Sequence, residues 1–175
     1  VNAAAIALHE LGKPSIAKVN GDAVGAGMNL ALGCDLIVAG ESARFSEIFA
    51  RRGLSLDFGG SWLLPRLVGM HKAKELAFFA DILSAREAER MGLVNRVVPD
   101  AELDAFVADW AERLSTSAPL ALQLSKKLLS NAFSIGLSEA LDAEAAAQSV
   151  NLVSEDTKEG VRDFLEKRKP AFRGR

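Results

Sequence analysis

A chain of 175 residues, 49% apolar and with a formal charge of −2, carries enough apolar surface for one well-packed core and a helical appendage. Its acidic and basic residues are interspersed, which argues against a nucleic-acid groove or a membrane-surface helix and leaves a small molecule or another copy of the chain as partner. Cys34 is the only cysteine, so an internal disulfide framework and a cysteine-based zinc site are excluded and a reducing, cytoplasmic setting fits.

In chain order, residues 1–9 read as the tail of a helix already under way, so a preceding N-terminal segment is expected. No apolar run approaches the ~20 residues a membrane span needs. Residues 15–20 predict a strand, 25–32 a small-residue helix and 36–39 a buried strand led in by Asp35, together a βαβ-like unit punctuated by Gly21, Gly25, Gly27 and Gly33. A loop over 51–60 ends in Gly59-Gly60-Ser61, with Ser61 as the expected N-cap of a helix over 62–68 and Pro65 in its first turn. Helices over 70–80 and 85–91 and a strand over 93–98 follow, ended by Pro99.

Beyond Ala101 the β-character disappears. Four amphipathic helices are predicted, over 103–114, 120–133, 137–150 and 155–169. The chain therefore divides into an α/β portion, 1–100, and a helical portion, 101–175. The helical portion exposes more apolar surface than four short helices hide alone, Leu120, Leu124, Leu128 and Leu141 among it, so it should pack on the first portion or another subunit.

Two stretches carry candidate chemistry. In Asn20-Gly-Asp-Ala-Val-Gly-Ala-Gly-Met-Asn-Leu-Ala-Leu-Gly-Cys-Asp35 a glycine turn stands directly before a helix, where unpaired N–H groups converge on one spot and suit an anion. The plain alternative is a tight strand–helix turn. In Gly53-Leu-Ser-Leu-Asp-Phe-Gly-Gly60, Asp57 has Phe49, Phe58 and Trp62 about it, an apolar setting that would raise its pKa by desolvation and suit it to proton transfer. Its plain alternative is an aspartate closing an Asp–x–Gly turn. His9 and His71 lack ligand spacing, so no metal is expected. Glu47 and the Arg51-Arg52 pair read as surface residues, with a ligand phosphate as the other reading for the arginines.

Several ordered motifs together carry a resemblance. Lys-Pro-Ser-Ile-Ala-Lys-Val-Asn-Gly-Asp-Ala-Val-Gly-Ala-Gly, Cys-Asp-Leu-Ile-Val-Ala, Gly-Gly-Ser-Trp-Leu-Leu-Pro-Arg-Leu-Val-Gly, Met-Gly-Leu-Val-Asn-Arg-Val-Val-Pro and the tail Phe-Leu-Glu-Lys-Arg-Lys-Pro-Ala-Phe are similar to the crotonase (enoyl-CoA hydratase/isomerase) superfamily over essentially the whole chain. The resemblance implies an α/β fold, a spiral ββα core whose C-terminal portion is residues 1–100, followed by a helical trimerisation segment. It further implies an acyl-CoA substrate, a homotrimer or dimer of trimers, no nucleic-acid or membrane partner, and no cofactor beyond the coenzyme A of the substrate.

By the same resemblance the Ala26 N–H is one half of an oxyanion hole, the other half and much of the CoA cradle coming from the family's N-terminal portion. Asn29, Phe49, Leu54 and Trp62 line the acyl pocket, and Phe164 and Lys167, on one helical face, hold the nucleotide end of CoA. Asn29 and Phe49 stand where family hydratases carry two glutamates, and Asp57 stands where isomerising relatives carry an aspartate. An amide and a phenyl ring cannot activate water. The expected reaction is therefore isomerisation of an acyl-CoA with Asp57 as acid/base; the alternatives are an enoyl-CoA hydratase using Asp57 and Glu47, and a non-catalytic acyl-CoA-binding protein.

Overall fold

A computed structural model describes residues 1–175. It forms two compact units: residues 1–11 with 15–110, and residues 12–14 with 111–175.

The first unit holds α1 (Asn2–His9), β1 (Ile16–Val19), β2 (Asp22–Val24), α2 (Ala26–Leu32), β3 (Leu36–Gly40), β4 (Arg44–Ser46), a short 3-10 helix (Ile48–Arg52), α3 (Gly60–Phe79), β5 (Leu83–Ser84), α4 (Ala85–Arg90), β6 (Arg96–Val98) and most of α5 (Leu103–Ser115). Strands β1, β3 and β6 pair in parallel, Ile16 opposite Leu36 and Val38 opposite Arg96. A second sheet pairs β2 with β4 in parallel and β4 with β5 antiparallel. The apolar run of β3 is buried on both faces, as a central parallel strand requires. The largest wholly buried core side chains are Phe45, Met28 and Leu64.

The βαβ unit stands, with β2 inserted between β1 and α2. Strands β2, β4 and β5 go beyond the sequence expectation: three and two residues are too few to show a period of two. The strand expected over 93–98 is only Arg96–Val98, because the Leu93 and Val94 N–H groups turn back to the Ala88 carbonyl and finish α4. Ser61 is not the N-cap. Gly59, in the left-handed region at φ 85°, takes that place, and its carbonyl accepts the N–H groups of Trp62 and Leu63. Gly69, at φ 76° and ψ 162°, breaks α3 where the sequence predicts two helices.

The second unit contains α6 (Pro119–Asn131), α7 (Leu137–Leu152) and α8 (Glu155–Glu166). Helix α6 buries no residue fully, and α7 only Ala147. Helix α8 is capped by the Ser154 hydroxyl and stops at Glu166, short of the expected 169, because Lys167 turns left-handed at φ 52°. The chain then returns: the Asp156 carboxylate accepts N–H groups of Arg173 and Gly174, and the Arg175 carbonyl accepts those of Glu155 and Asp156.

Candidate active site

The site grows from the start of α2. Gly25, at φ 54°, makes the turn into the helix and donates its N–H to the Ser46 carbonyl (2.8 Å), tying α2 to β4. A Cβ on Gly25 would stand 3.4 Å from both Ile48 and the Phe49 ring, so the buried Phe49 packs directly on the turn. Ala26 is the first helical residue, and its N–H has no acceptor within α2.

One turn on, Asn29 is wholly buried. Its Nδ2 donates to Glu47 Oε2 (3.3 Å) and to the main-chain carbonyl of Asp57 (3.0 Å). Gly60 makes room for this: a Cβ there would fall within 2.7 Å of the Asn29 carboxamide. The Asp57 carbonyl also accepts the Gly60 N–H (2.9 Å), and the two residues between, Phe58 at φ 47° and Gly59 at φ 85°, are both left-handed, the pattern of a type I′ turn. The turn is closed by main chain, so the Asp57 carboxyl takes no part in it. Asp57 Oδ1 is buried with no hydrogen-bond partner. Asp57 thus heads the expected Asp–x–Gly turn through its main chain, with its carboxyl unused, and a left-handed Phe58 beside it is the kind of backbone cost that collects at functional sites.

Glu47 corrects the sequence expectation. It is 1% exposed, facing inward between β4 and the 3-10 helix. Burial pushes its carboxyl up to about 7; the Asn29 hydrogen bond opposes the shift and the charge of Asp57 adds to it. The signal lay in the context, a carboxylate between Phe45 and Phe49 where every other side chain is apolar or small.

Asn29, Phe49, Asp57 and the Ala26 end of α2 are therefore brought together, with Glu47 added. Leu54 is 64% exposed. Trp62, roughly 200° around α3 from Gly60, packs edge-on against His9 (5.2 Å between centroids) with the Arg66 guanidinium 3.9 Å from its ring centroid. Arg51 pairs with Asp81 (2.6 Å) and donates to the Phe79 carbonyl, so its side chain is engaged within the fold. Phe164 and Lys167 lie in the second unit; Phe164 is exposed, and Lys167 follows α8 instead of sharing a helical face with it. No group of three or more His, Cys, Asp or Glu side chains is placed to hold a metal ion, and no helix is long and apolar enough to cross a membrane.

Comparison with known proteins gives the chain's relatives. A family profile described as enoyl-CoA hydratase/isomerase matches residues 1–175. The chain is 44% identical over 173 residues to a probable enoyl-CoA hydratase of Rhodobacter capsulatus, covering 97% of this chain and 66% of that one. It is 41% identical over 168 residues to the 1,2-epoxyphenylacetyl-CoA isomerase of Escherichia coli, covering 96% and 64%. The crystal structure of an enoyl-CoA hydratase from Bacillus anthracis matches with a TM-score of 0.96 at 34% identity, over 99% of this chain and 67% of that one. The chain spans less than two-thirds of the length of the curated relatives it matches.

Proposed function

This chain belongs to the enoyl-CoA hydratase/isomerase family, with the crotonase fold, and on that premise we propose that the full-length protein isomerises the double bond or ring of an acyl-CoA thioester, with Asp57 as acid and base. In the double-bond case the Asp57 carboxylate removes a proton from C2 of a 3-enoyl-CoA. The C2=C3 bond forms as C3=C4 becomes single, and Asp57 returns the proton to C4. The negative charge passes through the thioester oxygen, held by the Ala26 N–H and by a second donor from outside these residues. Such a donor is worth roughly 2.7–4 kcal/mol in the transition state.

The observation that carries this reading is the buried, unpartnered Oδ1 of Asp57, a residue whose main-chain carbonyl is held by Asn29. A carboxylate whose turn is closed by main chain is available for chemistry. Hydration is the second reading, favoured by Glu47, which gives the site a second carboxyl. Against it, an amide and a ring hold the places of the water-activating pair, and Glu47 is buried. Turnover of trans-3-hexenoyl-CoA and crotonyl-CoA decides between them. The expected result is conversion of the first to its conjugated isomer and little or no hydration of the second. Hydration of crotonyl-CoA near the enzyme median of ~10 s⁻¹ would reverse the ranking.

The same proposal places the nucleotide end of CoA against Phe164 and Lys167 and assembles the chain as a homotrimer or dimer of trimers. Exposed apolar side chains of the helical unit, such as Leu129 at 73% and Leu141 at 53%, support assembly. Lys167→Ala should weaken binding of CoA esters by roughly 1–2 kcal/mol and flatten its salt dependence, since one charge-assisted phosphate contact is lost. Binding unchanged at low salt removes Lys167 from the CoA site, and light scattering on the same samples separates a lost contact from a lost assembly.

A further inference from the structure

The reaction as written uses Asp57 and Ala26 and leaves Glu47 idle. Its surroundings are unusual in composition: Asn29 Oδ1, Glu47 Oε1 and Asp57 Oδ1 are all buried, all capable of accepting, and all without a partner. One amide nitrogen, Asn29 Nδ2, joins the two acidic residues, bonding Glu47 by its carboxylate and Asp57 by its main chain. Two neighbouring carboxyls in a buried setting, the charge of Asp57 acting on Glu47, cannot both remain charged cheaply.

We propose that Glu47 is a positioning residue for Asp57, acting through the Asn29 amide, and that it carries the proton which keeps the site to a single negative charge while the enolate forms. The proposal rests on Asp57 being the base. With Glu47 protonated, proton transfer from substrate to Asp57 exchanges one carboxylate for one enolate, and the charge of the site stays constant. With Glu47 ionised, the enolate forms beside a second fixed negative charge in a dry setting, and the barrier rises. The groups that act on Glu47 are Asn29 from α2 and Asp57 from the turn before α3. No cation is among the groups that act on Glu47; Arg51 pairs with Asp81, and Arg66 lies over the Trp62 ring and bonds its carbonyl. Burial places the Glu47 titration at about 7, so the switch falls within the working range.

The test is kcat against pH from 6 to 8.5 for the full-length protein, with trans-3-hexenoyl-CoA as probe, in the wild type, Glu47→Gln and Asp57→Asn. Wild-type kcat should fall roughly tenfold as pH rises through about 7. Glu47→Gln still accepts from Asn29 but cannot ionise, so the decline should disappear. A flat wild-type profile overturns the proposal whatever any variant does, and so does a decline that persists in Glu47→Gln. In both of these cases an inactive Asp57→Asn leaves the assignment of Asp57 standing. An Asp57→Asn protein that turns over normally removes the base, and the role of Glu47 falls with it.

Discussion

Asp57→Asn should lower isomerisation of a 3-enoyl-CoA by roughly 10²–10⁴-fold while leaving binding of the ester little changed. The structure makes this substitution a clean one. The turn from Asp57 to Gly60 is closed by the Asp57 carbonyl, and the same carbonyl accepts from Asn29, so neither bond depends on the carboxyl. Asparagine keeps the size and the main-chain geometry and loses only the capacity to take a proton. A fall in kcat with an unchanged dissociation constant, and an unchanged unfolding midpoint, is the expected signature. Near-normal turnover in the variant would remove Asp57 from the chemistry, and with it the isomerase reading.

The second large effect is on stability. Glu47 ionises at about 7 in the folded chain against an ordinary 4.5, so the folded state holds this proton more tightly than the unfolded one. Its contribution is most favourable below the unfolded value. It is lost as pH rises from there to about 7 and stays lost above, because the unfolded chain releases the proton first. Across pH 5 to 8 the expected loss is roughly 2–3 kcal/mol from this side chain alone. Glu159 has the opposite sign, its carboxyl held at about 2 by the Arg168 guanidinium and the Ala171 N–H; that stabilisation is complete before pH 5 and leaves the window to Glu47. Urea unfolding of wild type and Glu47→Gln at the two pH values measures the difference. An equal pH dependence in both proteins would show that Glu47 is ionised freely and is not desolvated.

Much of this was legible in the residues. The strands over 15–20 and 36–39 and the helices on either side of Gly69 follow from apolar spacing and glycine placement, and they appear as β1, β3 and the two arms of α3. Asp57 is singled out by the family resemblance rather than by its own setting; the structure leaves its Oδ1 buried without a hydrogen-bond partner. What escaped has physical reasons. Strands β2, β4 and β5 exist through their neighbours, since segments this short carry no period of their own. Ser61 is the better N-cap by propensity, but the left-handed turn that fixes Asp57 starts the helix two residues earlier, at Gly59. Glu47 was read from its own polarity as a surface group; its burial is decided by Asn29, eighteen positions away in sequence, which offers it a donor. Asn29, read as the loss of a base, turns out to hold both acidic residues. The C-terminal face expected for Phe164 and Lys167 failed because pattern extends a helix until something stops it, and here a left-handed Lys167 does so.

The close approach of Gly60 to Asn29 has a mechanical consequence. On that side the carboxamide faces bare main chain, with no side chain between it and the α3 backbone. Side chains give way by changing rotamer, but the first turn of a helix moves only as a body. The carboxamide is therefore seated without a cushion, and the two groups bonded to it inherit the position of α3. A displacement of that helix by a few tenths of an ångström passes undamped into the carboxamide and so to Glu47 and the Asp57 turn. The break at Gly69 leaves the N-terminal arm of α3 as the short rigid lever on which this depends.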